Sequence, residues 1–96
     1  MDKNICTVIN IELGLKGVWE RKVFRKTLNG LLLYCPENQF IDIGGIHLRV
    51  KYYEIGIYKD SIEAWIDIRE LDLEDKEVLE EWRKTLLKCG FKEITK

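Results

Sequence analysis

The sequence is poor in the residues that metal sites and membrane spans usually require. Its 96 residues include one histidine, one proline and three cysteines. A lone histidine leaves too few imidazole ligands for a histidine-based zinc site. The longest uninterrupted apolar run, residues 31–35, is far shorter than the roughly 20 residues that cross a bilayer. The composition therefore predicts no metal, no cofactor and no membrane partner.

The cysteines do not indicate a redox site or a zinc site. Cys6, Cys35 and Cys89 are odd in number and too far apart for a CxxC motif or paired zinc knuckles. Free cysteine is among the most buried residue types, so we predict reduced structural thiols. The first residues lack the apolar segment of a signal peptide. Together these features predict a cytoplasmic protein.

Length and charge set the class of molecule. A chain of 96 residues cannot bury two separate cores, so residues 1–96 are predicted to form a single domain. Hydrophobic residues make up 46% and charged residues 34% of the chain, a balance that excludes a disordered protein. The net charge of −1 makes nucleic acid an unexpected partner.

Apolar and polar residues alternate along most of the chain, which is typical of half-buried strands. The alternation predicts strands over residues 5–13, 40–43, 46–58 and 61–68. Within the third of these the apolar positions change parity without an intervening turn residue. That slip predicts a β-bulge near residues 52–54.

Residues 18–28 are ambiguous between strand and helix. Their apolar spacing is partly helical, and neither parity is cleanly apolar. The Asn29-Gly30 pair that follows is a strong hairpin signal, because both residues accept the positive φ of a type I′ turn. We therefore favour a strand over 18–28, paired with a further strand over 31–35.

Two more hairpins follow from short turns. Gly44-Gly45 places Asp42 opposite His47. The Lys59-Asp60 turn places Glu54 opposite Trp65, and the alternation then directs Tyr58 and Trp65 to the outer face of the sheet.

The C-terminal part of the chain predicts one helix. Asp72 is a suitable N-cap, an apolar stripe recurs at helical spacing, and Gly90 is a natural residue to end the helix. Residues 91–95 predict a short edge strand. The expected fold is α+β and mostly β: an antiparallel meander of about six strands curling into a partly open barrel, with one C-terminal amphipathic helix.

The candidate partner surface combines exposed aromatic rings with acidic residues. Tyr58 and Trp65 are typical interface anchors when they face solvent. Seven acidic residues lie between positions 70 and 81, more than a helix N-terminus requires, which favours a basic partner. The predicted contact residues are Tyr58, Trp65, Glu77, Glu80 and Glu81. We expect a protein partner, or a homo-oligomer joined through exposed strand edges.

A basic segment over residues 16–26 gives the alternative hypothesis. With the acidic segment it predicts two complementary charged ends of the molecule. Guanidinium groups grip phosphate in bidentate fashion, so an anionic ligand or nucleotide is the alternative partner. The residues of that site would be Arg21, Arg25, His47 and Arg49.

Catalysis is the third hypothesis and has the weakest support. Asp42 opposite His47 forms a carboxylate–imidazole pair, and Cys35 is the most plausible thiol nucleophile, although nothing in the sequence places it next to His47. The sequence supplies no oxyanion hole and no complete catalytic motif. We therefore predict a non-catalytic interaction module of the inhibitor, adaptor or regulatory-subunit kind.

Overall fold

The structure is a computed structural model, and it describes residues 4–94. Within this range the chain forms six strands and one helix. They are β1 (Asn4–Leu15), β2 (Arg21–Asn29), β3 (Phe40–Ile43), β4 (Ile46–Ile57), β5 (Ser61–Leu73), α1 (Lys76–Lys88) and β6 (Lys92–Glu93). The strands make one sheet in the order β3-β4-β5-β1-β2-β6, which curls into a half-barrel.

The predicted fold class is confirmed except for one strand pair. The protein is mostly β, with a curled sheet of six strands and a C-terminal helix. The prediction that all strands are antiparallel was wrong, because β1 and β5 run parallel at the centre of the sheet. The other neighbouring strands are antiparallel. Since the chain leaves the sheet after β2, one edge of β1 stays open until β5 fills it.

The predicted hairpin between β2 and residues 31–35 does not form. Gly30 has the expected positive φ of 76°, but its N–H donates to the carbonyl of Ile5 at 2.6 Å. The buried hydroxyl of Thr7 donates to the Leu31 carbonyl at 2.6 Å and accepts from the Leu33 N–H at 2.8 Å. One side chain on β1 thus satisfies backbone groups that a strand would have paired.

This segment, residues 30–39, is called the crossing loop because it connects β2 to β3 at the other side of the sheet. The hydroxyl of Tyr53 on β4 donates to the Leu33 carbonyl at 3.0 Å. Tyr34 packs edge-on against the Tyr53 ring, with centroids 5.4 Å apart. Cys35 follows and is buried. The crossing loop therefore covers part of the inner face of the sheet.

The other two hairpin predictions are confirmed. Asp42 lies opposite His47 in the β3–β4 hairpin, and Glu54 lies opposite Trp65 in the β4–β5 hairpin. The register of β4 shifts between Val50 and Tyr52, next to the predicted bulge. The stretch that was ambiguous between strand and helix, residues 18–28, is a strand from Arg21 onward, and this strand, β2, ends at Asn29.

The core lies between the inner face of the sheet and α1. Its members are buried side chains from β1 to β5, the crossing loop, the helix and Phe91 beyond the helix. The largest of those that are completely or almost completely buried are Phe24, Ile11, Leu13, Leu48, Ile66, Ile68 and Leu86.

The helix begins later than predicted. Asp75, not Asp72, is the N-cap, and its carboxylate accepts from the Glu77 N–H at 2.8 Å. Asp72 is held in β5, which extends to Leu73 through pairing with Leu15. None of the described residues forms a helix that is long and apolar enough to cross a membrane.

The predicted helix end is confirmed. Gly90 has a φ of 90°, and its N–H donates to the Leu87 carbonyl at 3.1 Å. The Phe91 N–H donates to the Leu86 carbonyl at 3.0 Å, which completes a Schellman motif. The edge strand after it is β6, shorter than predicted and paired with β2. The end of the predicted strand, at Thr95, lies outside the described residues.

Candidate interaction surface

The predicted anchor Trp65 is engaged by its own chain. It lies half-buried on the outer face of β5. Its Nε1 donates to Glu63 at 3.0 Å, and the Arg25 guanidinium lies 5.7 Å from the centre of its ring. Arg25 is fixed in turn by Asn10, whose Oδ1 accepts from Nε at 2.7 Å. The indole N–H and one face of the ring are therefore already engaged within the chain.

Tyr58 is more accessible. It is 54% exposed and stands where the β4–β5 hairpin turns. Its ring lies over Gly56, where an added Cβ would come within 2.6 Å of the Tyr58 hydroxyl. Glycine at this position thus makes room for the ring, and the outer side of the ring faces solvent.

The predicted acidic contact residues have different surroundings. Glu77 and Glu81 are exposed. Glu80 pairs with Arg83 at 2.9 Å, and Arg83 also binds Glu93 at 2.9 Å. Hydrogen bonding to Glu93 and the charge of Glu80 raise the pKa of Arg83 above its ordinary value. Glu80 is therefore neutralised within the chain, while Glu77 and Glu81 face solvent.

The acidic and basic segments lie at the same end of the molecule, not at two ends as the charge pattern predicted. The end of β1 pairs with the end of β5, which brings residues 16–26 beside residues 70–81. Lys16 lies 3.8 Å from Glu74. The two charged segments are therefore neighbours, rather than the opposite ends that the charge pattern predicted.

Trp19 is the most exposed large apolar side chain in the described part of the chain, and it is not among the contact residues predicted from the sequence. It is 92% exposed, and its neighbour Val18 is 48% exposed. Both belong to the β1–β2 loop, residues 16–20, where the Val18 N–H donates to the Leu15 carbonyl at 3.1 Å. Gly17 allows this turn with a φ of 75°. The available signal was two large apolar residues placed directly after a turn glycine.

Two clefts flank the β1–β2 loop. One has a volume of about 370 Å³ and is bordered by Trp19, Val18, Leu71 and Asp72. The other, of about 470 Å³, lies between the loop and the start of α1. Its apolar lining consists of Leu13, Leu15, Val18 and Leu79, and its rim carries Glu20, Arg21, Lys22, Lys76, Glu77 and Glu80. We call Val18, Trp19 and these two clefts the Trp19 surface.

The four residues of the alternative anion site do not lie together. They are Arg21 and Arg25 on β2, and His47 and Arg49 on β4. Two strands, β5 and β1, separate β4 from β2, a distance of about 14 Å along the sheet.

Each member of that set contacts a local partner instead. Arg21 lies 3.7 Å from Glu12, and His47 lies 3.3 Å from Asp42. The Arg49 guanidinium stacks on the Phe40 ring at 5.0 Å.

The residues of the catalytic hypothesis face different environments. The Asp42–His47 pair is largely exposed, whereas Cys35 is buried in the core cluster. Burial raises the pKa of the Cys35 thiol, which keeps it protonated and a poor nucleophile at neutral pH. Among the described residues, no three histidine, cysteine or acidic side chains are arranged to hold a metal ion.

Comparison of the chain with protein-family models, curated proteins and solved structures found no match.

Proposed function

We propose that this chain is a small, non-catalytic protein-interaction module and that the Trp19 surface is its main contact for a partner protein. The observation that carries this proposal is the 92% exposure of Trp19. Tryptophan is enriched among the residues that dominate binding energy in interfaces. Burying its roughly 200 Å² of surface contributes about 5 kcal/mol before the costs of association.

The charges around the Trp19 surface indicate what kind of partner it fits. Glu77 on the rim and Glu81 farther along α1 are exposed, which favours basic groups on the partner. Arg21 and Lys22 on the same rim are already paired with Glu12 at 3.7 Å and with Glu93 at 3.9 Å. We expect a partner with an apolar groove for Trp19 and basic groups beside it. The free thiols Cys6, Cys35 and Cys89 favour the cytoplasm as the location of this chain.

The alternative, a module for anionic ligands, has no shared site to support it. Its arginines and histidine are divided between β2 and β4. A nucleotide that raised the melting temperature of the wild type, but not that of Arg21→Ala/Arg25→Ala, would favour this alternative.

The test of the proposal is affinity capture from the source cells with the tagged full chain. Trp19→Ala should reduce capture of a specific partner at least about tenfold, since the lost contact exceeds 1.4 kcal/mol. Phe40→Ala is the matched control, because Phe40 is an aromatic residue 54% exposed on β3, and it should leave capture unchanged. Equal capture by the wild type and Trp19→Ala would refute the Trp19 surface.

A further inference from the structure

The outer edge of β4 is open beyond the crossing loop. β3 pairs with β4 only up to Arg49, and Val50 exchanges backbone hydrogen bonds with Asn38 and Gln39 of the crossing loop. From Tyr52 to Ile57, among the described residues, the ladder of β4 runs on one side only, with β5.

The ladder determines which backbone groups are left without a strand. The Tyr58 N–H donates to the Ser61 carbonyl at 2.8 Å. Hydrogen-bonded pairs alternate in an antiparallel ladder, so Gly56 and Glu54 also direct their backbone groups toward β5. The backbone N–H and C=O groups of Tyr53, Ile55 and Ile57 therefore point away from it.

The other sheet edges are protected, and this one is not. Edge strands usually avoid pairing with another chain because they are short, charged or covered. β3 has four residues and includes Asp42. β2 is partly covered by β6 and carries four basic residues, Arg21, Lys22, Arg25 and Lys26. In contrast, residues 52–58 contain only one charge, Glu54, and no proline.

An apolar face adjoins this open edge. Ile5, Ile62 and Ile57 form one row across β1, β5 and β4 on the inner face. The row lies beyond the cover of the crossing loop, so Ile57 is 72% and Ile5 40% exposed. Ile55, the next inner-face residue on β4, is 44% exposed. The edge therefore offers both backbone hydrogen bonds and apolar surface.

We propose that a second copy of this chain pairs with the open edge, β4 against β4, antiparallel about a two-fold axis through Ile55. The inference goes beyond the proposed function and uses the opposite end of the molecule from Trp19. In this register Ile55 lies opposite itself, and Tyr53 lies opposite Ile57 of the second copy. All three outward-directed residues of each edge are then paired.

The edge is complementary to itself in this register. Glu54 lies opposite Gly56 of the second copy, which has no side chain, so no like charges meet directly. A shift by two residues would place Glu54 opposite Glu54, which is destabilising. Aromatic and β-branched residues face each other at Tyr53 and Ile57, a favourable cross-strand pair. Tyr34, 74% exposed and packed on Tyr53, extends the contact.

The size of the contact predicts a weak dimer. Stable interfaces bury about 800 Å² per partner, and a single pair of six-residue edges with its neighbouring side chains lies at or below that area. We therefore expect a dimer that forms with a dissociation constant of about micromolar.

Sedimentation measurements over about a hundredfold range of protein concentration test the dimer. The wild type should shift from monomer to dimer, and Ile57→Lys should stay monomeric. Ile57→Lys preserves the fold because that side chain is mostly exposed, and circular dichroism verifies this. Phe40→Lys places the same charge on the protected edge strand β3 and should dimerise like the wild type. A monomeric wild type, or dimerisation by Ile57→Lys, overturns the proposal.

A thiol placed on the proposed axis tests the register. Cα atoms of a hydrogen-bonded pair lie about 5.5 Å apart, within the range of a disulfide. Ile55→Cys should therefore give a covalent dimer on oxidation, joined through the two introduced thiols in peptide mapping. Tyr58→Cys, similarly exposed, should not form a dimer through its introduced thiols. Crosslinking by Tyr58→Cys alone would overturn the proposed register. Capture of a partner through Trp19 should be the same in Ile57→Lys, which separates this proposal from the proposed function.

Discussion

The two ends of the inner sheet face differ in what covers them. At the α1 end, Phe24 and Leu86 are completely buried, whereas at the hairpin end Ile57 is 72% exposed. Ile57 nevertheless belongs to the same alternating pattern that places isoleucines in the core. Strand periodicity thus fixes the face on which a side chain lies. Whether that face becomes core depends on the helix and loop that cover it.

The largest expected effect tests this difference directly. Phe24→Ala removes a fully buried ring from the core and should lower the free energy of unfolding by about 3–5 kcal/mol. Ile57→Ala should change it by less than about 0.5 kcal/mol. Urea denaturation of both variants at low protein concentration, where the chain is monomeric, measures the contrast. Similar losses would show that the hairpin end is as well covered as the core.

Thr7 marks the boundary between the two ends, because its hydroxyl holds the crossing loop on the sheet. Thr7→Val keeps the shape but leaves a carbonyl and an N–H of the loop without their partner. We expect a loss of about 1–3 kcal/mol in unfolding free energy. Thr27→Val, the same change at an exposed position of β2, is the control. An equal effect of both variants in urea denaturation would mean that the two hydrogen bonds contribute nothing.

Thr7 also shows which parts of the fold the sequence predicts. The pairs Asp42–His47 and Glu54–Trp65 follow from short turns, since turn length sets the register of a hairpin. The path of residues 30–39 does not. That path depends on the Thr7 hydroxyl, which lies more than 20 residues away along the chain. The parallel pairing of β1 with β5 likewise joins segments that are far apart in the sequence.

The sequence likewise predicts some properties of the candidate surfaces and not others. The sequence predicts that Trp65 lies on the outer face, because that depends only on alternation. It does not predict that Arg25 covers the ring, or that Trp19 and Ile57 stay exposed. These properties depend on contacts between distant segments, which set exposure after the strands have formed.

The smallest expected effect concerns the start of α1, where the sequence predicts Asp72 as the N-cap and the structure has Asp75. Asp75 accepts a hydrogen bond from the Glu77 N–H, so Asp75→Ala should cost about 1 kcal/mol of unfolding free energy. Asp72 is exposed within β5, and Asp72→Ala should change it by less than about 0.5 kcal/mol. The reverse order in thermal unfolding would place the cap at Asp72. Because α1 is the cover that makes one end of the sheet a core, loss of its cap should weaken that end while the exposed end keeps its dimer contact. Sedimentation of Asp75→Ala should therefore show the same monomer–dimer equilibrium as the wild type.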